Sequence, residues 1–203
     1  KKSKSSKNII KYFVKKVSNL IPSFLNKISF VSSYLPLSRL IKIQLKLLQL
    51  PYLLAPDSPK IASKIDLKLR ASINTNYLIG KNDFEKFLSK ILKLQIPVIY
   101  LESFYKLRKS VLANYPKNPR IIFTGVGYQA NDMFKIWSAE KIKNGCKLYI
   151  AQHGGNVGIS KWNQAEDHQI RIADKYISWG WQEDGKPNVT PLPSPYLNKK
   201  IKF

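Results

Sequence analysis

The segment 152–158, with the sequence QHGGNVG, carries the residue types best suited to chemistry. It follows a short apolar run and combines an amide (Gln152), an imidazole (His153) and three glycines. Histidine titrates at a pH of about 6.5, which suits general acid–base catalysis near neutrality, and glycines let backbone N–H groups approach an anion closely. The segment is neither a Walker loop nor a GxGxxG motif. The structural alternative is a polar turn whose histidine hydrogen-bonds the backbone.

A second polar group, Glu166-Asp167-His168, lies about one helix further along the chain. A carboxylate from this group near His153 would orient the imidazole and stabilise its protonated form. The alternative for the two acids is a helix N-terminus, where negative charge complements the helix dipole. We predict no metal site, because the spacing between His153 and His168 is not that of known metal ligands.

Aromatic and basic side chains provide further candidates for substrate binding. Trp179 and Trp181 end a predicted strand over 173–181 and are expected to face the same side, where they could stack on a base or a sugar. Core packing is the alternative for this pair. Lys161 and Trp162 follow the glycines and are weaker candidates for contacts to a phosphate and a ring.

The elements that position these residues form a predicted βαβ unit over 120–151. A β-branched strand at 120–124 leads to Gly125, a helix capped by Asn131 ends at Gly145, and a second strand covers 147–151. Parallel strands joined by a right-handed crossover end at the same edge of a sheet. Thr124 and Gly125 are therefore expected beside Gln152, Gly154 and Gly155, at the edge where open α/β sheets bind ligands.

Further elements are predicted on both sides of this unit. Apolar residues at helical spacing predict helices over 8–30, with a break at Pro22, and over 37–50, closed by Pro51. A helix capped by Asn82 is expected next, followed by a strand-like run over 97–101 and a helix over 102–114.

The composition is strongly basic, with 35 Lys and Arg against 12 Asp and Glu in 203 residues, a net charge of +23. Such a charge is typical of proteins that bind nucleic acid, an anionic membrane or phosphorylated substrates. It can also simply reflect a lysine-rich surface. Because the charge is dispersed and lysine predominates over arginine, nucleic acid is disfavoured as a partner. The single cysteine, Cys146, excludes an internal disulfide, and no apolar run approaches the roughly 20 residues of a membrane span.

The charge is distributed unevenly. Residues 1–70 contain 15 basic residues, two acids and no glycine. We therefore predict a basic, mainly helical region over 1–70, an α/β domain over 71–186 and a Pro/Lys-rich tail or linker over 187–203. The basic helices could lie on anionic lipid, although packing on their own domain is the commoner role of such helices.

Three stretches together resemble the transferases of bacterial surface-carbohydrate (O-antigen type) biosynthesis. They are FEKFLSKILKLQIPVIYLE, IIFTGVGYQANDMFKIWSAEKIKNGCKLYIAQHGGNVGISKW and EDHQIRIADKYISWGW, and the resemblance covers roughly 74–195. These proteins look like GT-B glycosyltransferases, similar in outline to capsule Kdo transferases and polyol-phosphate transferases that use CMP- or CDP-activated donors. The resemblance implies a Rossmann-like parallel sheet and a cleft between two such domains.

The resemblance also implies roles for individual residues. Gln152-His153-Gly154 resembles the QHG/WHG element of those enzymes, in which His153 would deprotonate an acceptor hydroxyl. Glu166 and His168 would support it, and Gly154 and Gly155 would shape the cleft wall. Members are much longer than this chain, so it is expected to be a fragment with only part of the nucleotide-sugar site. No metal or other cofactor is expected, since helix N-termini and basic side chains stabilise a leaving phosphate.

The sequence therefore predicts part of a cytoplasmic sugar transferase, with peripheral contact at the inner face of the plasma membrane as an option. Its expected partners are a nucleotide-sugar donor and a glycan or lipid-linked acceptor. Two alternatives are open: a non-enzymatic basic module that binds anionic membrane or nucleic acid, and an inactive remnant of a split gene.

Overall fold

The computed structural model describes residues 27–50, 59, 61–74 and 82–194. Its centre is a five-stranded parallel sheet in the order β1-β2-β3-β4-β5. The strands are β1 (Ile28–Phe30), β2 (Ile121–Thr124), β3 (Lys147–Ala151), β4 (Lys175–Ser178) and β5 (Val189–Pro191). This arrangement confirms the predicted α/β class with a Rossmann-like parallel sheet.

Seven α-helices accompany the sheet within the described residues. They are α1 (Leu37–Lys46), α2 (Leu67–Ser72), α3 (Asp83–Gln95), α4 (Phe104–Asn114), α5 (Gly127–Ala130), α6 (Asp132–Lys143) and α7 (Gln164–Ile172). The predicted caps are confirmed: Asn82 accepts a hydrogen bond from the Glu85 N–H at 2.9 Å, and Asn131 accepts one from the Phe134 N–H at 3.0 Å. Gly145 follows α6 with a φ of 88°, a left-handed conformation that suits glycine.

The chain divides into two compact units, Lys1–Pro56 with Asn114–Phe203, and Asp57–Ala113. The first unit contains the whole sheet, and the second contains α2, α3 and most of α4. The boundaries at 70 and 186 that composition suggested remain predictions, because they rest on charge and glycine content alone.

The two faces of the sheet differ in burial. Ile122, Leu148, Ile150 and Tyr176 point to one face and are at most 3% exposed. Helices α6 and α7 cover this face with Phe134, Trp137 and Ile170. The alternate residues on the other face are only half-buried and line a cavity instead: Ile121, Phe123, Tyr149, Ala151 and Ile177. Parallel sheets are usually covered on both faces, and of the described helices only α1 contributes to the cavity face.

The secondary structure departs from the sequence-based predictions in several places, and the helix predicted over 37–50 ends at Lys46. Ile28–Phe30 forms β1 at the end of the predicted helix over 8–30, most of which lies outside the described residues. Val189–Pro191 forms β5 inside the predicted tail, and the strand predicted over 173–181 ends at Ser178. Val98–Tyr100 is a 3-10 turn, because its Tyr100 N–H bonds the carbonyl of Pro97 at 2.9 Å.

The second unit is organised around a buried ion pair. The Arg70 guanidinium donates to both carboxylate oxygens of Glu102 at 2.6 and 3.0 Å, and both side chains are nearly inaccessible. It also donates to the carbonyls of Lys93, Leu94 and Ile96 at 2.8 to 3.0 Å. Arg70 thereby satisfies carbonyls at the C-terminal end of α3, which the helix itself leaves unpaired.

Candidate functional site

The loops that follow β1, β2, β3 and β4 lie at one edge of the sheet, as the parallel pairing requires. Thr124 pairs with Ile150, so the loops after β2 and β3 begin side by side. The prediction that Thr124 and Gly125 lie at the same edge as Gln152 and Gly154 is confirmed. Thr124 itself is buried, and its hydroxyl accepts a hydrogen bond from the Gly127 N–H at 2.8 Å.

The Gln152 side chain joins the loops after β3 and β4. Its Oε1 accepts hydrogen bonds from the Trp179 backbone N–H at 2.7 Å and the Trp181 indole N–H at 2.8 Å. Its Nε2 donates to the carbonyls of Gly154 at 3.0 Å and Val157 at 3.1 Å. Because the amide is buried and uses both ends internally, Gln152 positions the loop that carries His153.

The other end of the glycine segment is held by Glu166. Its Oε2 accepts a hydrogen bond from the Gly158 N–H at 2.6 Å. Gly158 has a φ of 81°, and a Cβ there would lie 2.6 Å from Cε2 of Trp181. Glycine is therefore required at 158 both by conformation and by space.

His153 lines the apolar cavity over the sheet, in ring contact with Tyr34 from the loop after β1. The two ring centroids are 4.3 Å apart at an interplanar angle of 34°. Tyr34 and Ser32 have φ values of 57° and 49°, in the left-handed region that is costly for residues other than glycine. Such strained residues cluster at functional sites. This loop also contacts β2's end, where the Gly125 N–H donates to the Ser32 carbonyl at 3.0 Å.

The cavity beside His153 has a volume of about 590 Å³ and a predominantly apolar wall. Its floor is the half-buried face of the sheet, and Ile43 of α1 and Leu47, which directly follows α1, also line it. The remaining wall comes from the loops at the carboxyl edge: Ser33, Tyr34, Leu35, Gln152, His153, Gly154, Trp179, Leu192 and Pro193. None of the described lining residues is an Asp, Glu, Lys or Arg.

A second, polar cavity of about 480 Å³ lies between the end of the glycine segment and the start of α7. Lys161, Glu166 and Trp181 line it, together with Lys186. The Lys186 ammonium lies 2.8 Å from Glu183 and 3.7 Å from Asp167. The hydrogen bond to Glu183 raises the pKa of Lys186, so the Lys186 ammonium group stays positively charged beside this cavity.

The structure does not bring together the three residues predicted to be catalytic. His153 lines the apolar cavity and Glu166 the polar one, whereas His168 is exposed on α7, 6.0 Å from the ring of Tyr128. Helix α7 packs on the sheet face opposite the apolar cavity, which keeps His168 away from His153. The Glu166 carboxylate bonds the Gly158 N–H instead of orienting His153.

The predicted substrate-binding residues are also divided. Gln152, Gly154 and Trp179 lie at the apolar cavity, and Lys161 and Trp181 at the polar one. The expectation that Trp179 and Trp181 face the same side is wrong, since β4 ends before them and Gly180, with a φ of 90°, turns the chain. Gly155 has no heavy atom within 4 Å of a Cβ position, so its backbone is open to a ligand.

Sequence reasoning missed Tyr34 and the loop that carries it. β1 is only three residues long and pairs with β2, about 90 positions further along the chain. The only signal was the interruption of apolar helical spacing between Phe30 and Leu37 by polar residues and Pro36.

The described residues contain no group of three His, Cys, Asp or Glu placed to hold a metal ion. Among the same residues, no helix is long and apolar enough to cross a membrane. The site therefore offers an imidazole, exposed glycine backbone, lysines and two cavities of opposite polarity.

Comparison with known families identifies the chain as a transferase. A model of the LIC12162 family transferases matches residues 1–203, and the chain belongs to this family. The match extends beyond the 74–195 stretch in which the resemblance was recognised and includes the basic first 70 residues. No curated protein and no solved structure gives a significant match.

Proposed function

We propose that this LIC12162 family transferase moves a sugar from a nucleotide-activated donor to a glycan or lipid-linked acceptor in surface-polysaccharide biosynthesis. The observation that carries the proposal is the position of His153, an imidazole at the carboxyl edge of a parallel sheet, between open glycine backbone and a large cavity. Ligands of open α/β sheets bind at this edge. The O-antigen and GT-B character of the proposal comes from the sequence resemblance.

In the proposed reaction, His153 accepts the proton of an acceptor hydroxyl as that oxygen attacks the anomeric carbon of the donor. The new bond joins the acceptor oxygen to the sugar, and the bond from the sugar to the donor phosphate breaks. The phosphate leaves with the bonding electrons, and backbone N–H groups at Gly154 and Gly155, with Lys161, stabilise its charge. Glu166 and Gln152 act by holding the glycine segment in place.

The roles of the other candidates follow from where they lie. Trp181 and Lys161 would contact the donor in the polar cavity, and Trp179 would contact the acceptor in the apolar one. We do not assign His168 to the acid–base step, because it lies on the opposite face of the sheet.

The test is turnover of CMP- and CDP-linked sugars by the complete reading frame, followed as release of the nucleotide. His153→Ala is expected to lower kcat by about 10²- to 10⁴-fold, the usual contribution of a general acid–base. His168→Ala is the matched control and is expected to retain turnover. Equal activity of both variants would remove His153 from the mechanism.

We also propose a cytoplasmic location with peripheral contact at the inner face of the plasma membrane. The support is α1, which has no acidic residue, carries Lys42 and Lys46, and is followed by the exposed Leu48. Basic helices with exposed apolar residues bind anionic lipid surfaces.

A further inference from the structure

The apolar cavity offers few polar partners to the part of a ligand that enters it: among its described lining residues, the polar side chains are those of Ser33, Tyr34, Tyr149, Gln152 and His153. Its floor consists of Ile121, Phe123, Tyr149, Ala151 and Ile177, and its side is formed by α1. The one buried amide in its wall, Gln152, uses both ends in four internal hydrogen bonds. A buried polar group without a partner costs several kcal/mol, so the apolar floor and the α1 side of the cavity suit a hydrocarbon better than a nucleobase or sugar ring.

The size and position of the cavity are those of a ligand site. Its volume of about 590 Å³ lies within the 300–1,000 Å³ typical of small-molecule pockets. His153 and Gly154 line it and are themselves only half-buried, so a ligand that fills the cavity can place its remaining, exposed part beside the imidazole. That exposed part can be polar, because Gly155 and Asn156 are exposed to solvent.

We infer that this cavity binds the hydrocarbon chain of an amphiphilic, lipid-linked substrate, with the polar head of that substrate beside His153. The inference deepens the proposed function and rests on it only for the role of His153, since binding of the chain requires no transfer. The ligand is defined by its chemistry: it is a long hydrocarbon chain, either acyl or isoprenoid, that carries a phosphate.

The wall contributed by α1 supports this occupant over a detached soluble ligand. Leu47 lines the cavity and is also 42% exposed, and the neighbouring Leu45 and Leu48 are exposed as well. Lys42 and Lys46 lie on the same helix. Exposed leucines next to lysines, one of them in the cavity wall, suit a chain that enters from an anionic lipid surface.

The test uses the full chain and a dodecyl phosphate with bromine on its terminal carbon, which quenches tryptophan fluorescence at short range. Trp179 lines the cavity. We expect saturable quenching that inorganic phosphate does not reproduce and that Trp179→Phe removes. Competition by unlabelled dodecyl phosphate or farnesyl phosphate then distinguishes an acyl from an isoprenoid preference, and either result supports the site.

Two variants test the location. Ala151→Phe fills the cavity from its floor, and Leu47→Lys places a charge in its wall without touching the buried face of the sheet. Each is expected to weaken binding by at least about tenfold, the equivalent of about two buried methylene groups. Ala165→Phe is the matched control, because Ala165 is exposed on α7, on the opposite face.

The inference is overturned if quenching does not saturate, or if both cavity variants bind as the wild type does while circular dichroism shows them folded. It is distinguishable from the proposed function. If the wild type binds the hydrocarbon but transfers no sugar, only the proposed transfer reaction is contradicted. If it transfers sugar but does not bind the hydrocarbon, only this binding site is contradicted.

Discussion

Gln152 acts at the residue scale as the junction of two loops. It is buried, and its amide pairs with two N–H donors and two carbonyls. Replacing it with leucine leaves these groups without partners, at a cost of about 1–3 kcal/mol for a buried group. We expect Gln152→Leu to lower the free energy of unfolding by about 2–4 kcal/mol in urea titrations. Gln182→Leu, at an exposed position, is expected to leave it unchanged, and equal losses in both would contradict the junction.

Gly158 gives a second residue-scale prediction. An alanine there would combine a left-handed φ with a close contact to the Trp181 indole. We expect Gly158→Ala to reduce stability by about 2–4 kcal/mol, since left-handed strain costs about 1–2 kcal/mol and overpacking about 1–3 kcal/mol. Gly155→Ala, with open space around its Cβ, is expected to stay within about 0.5 kcal/mol of wild type. Thermal unfolding of the two variants compares them directly.

The residue types of the candidate site were visible in the sequence, but their partners were not. His153 and its glycines stood out because they follow an apolar strand. The partners of Glu166 and Gln152 depend on how the loops after β3 and β4 fold back on each other, which spacing along the chain does not reveal. The sequence therefore suggests His153 as the partner of Glu166, whereas the structure shows the Gly158 N–H; the position of Glu166 at the start of α7 agrees with its negative charge.

At the scale of elements, Arg70 connects three parts of the second unit. It is on α2, pairs with Glu102 before α4, and caps the C-terminal end of α3. The hydrogen bond from Arg70 holds the pKa of Glu102 at about 2, below its ordinary value of 4.5. A carboxylate with a depressed pKa stabilises the fold above its unfolded-state pKa and loses that contribution as the pH falls.

The pH dependence of Glu102→Gln follows from this shift. At neutral pH the variant is expected to unfold at a lower urea concentration than wild type, because Arg70 loses its charged partner. Between pH 4.5 and about 2 the difference is expected to shrink toward zero, since wild-type Glu102 also becomes neutral. Asp83→Asn, which removes an exposed pair with Lys86, is expected to change little. A difference that stays constant with pH would contradict the assignment.

Elements with strong local signals were predicted correctly, and short ones were not. Helices α3 and α6 have Asn caps and long apolar stripes, and β2 and β3 are β-branched or apolar runs beside glycines. β1 and β5 have three residues each, too few to show a period of two, and become strands only by pairing with β2 and β4. Pro97 likewise turned an apolar run into a 3-10 turn.

At the scale of the whole molecule, the net charge of +23 and the difference between the two sheet faces both bear on how the protein would meet an anionic lipid surface. One sheet face is covered by α6 and α7, and the other faces an apolar cavity beside α1, a helix that carries Lys42 and Lys46 outside the lining. The composition gives the net charge and the excess of basic residues over 1–70, but it does not predict the cavity. Only the pairing of β1 with β2 places α1 beside His153.

Lipid binding by the full chain is the prediction that belongs to this scale. We expect binding to phosphatidylserine vesicles in a sedimentation assay, weak binding to phosphatidylcholine, and loss of binding as salt rises, because each lysine near an anionic surface contributes about 1 kcal/mol. Leu48 is 85% exposed beside these lysines. Leu48→Ser is expected to weaken vesicle binding by about tenfold through lost apolar burial. Leu94→Ser, which changes a leucine that is 61% exposed in the other unit, is expected to have no effect. Equal binding by both variants would mean that charge alone attracts the protein, without insertion of α1's end into the lipid.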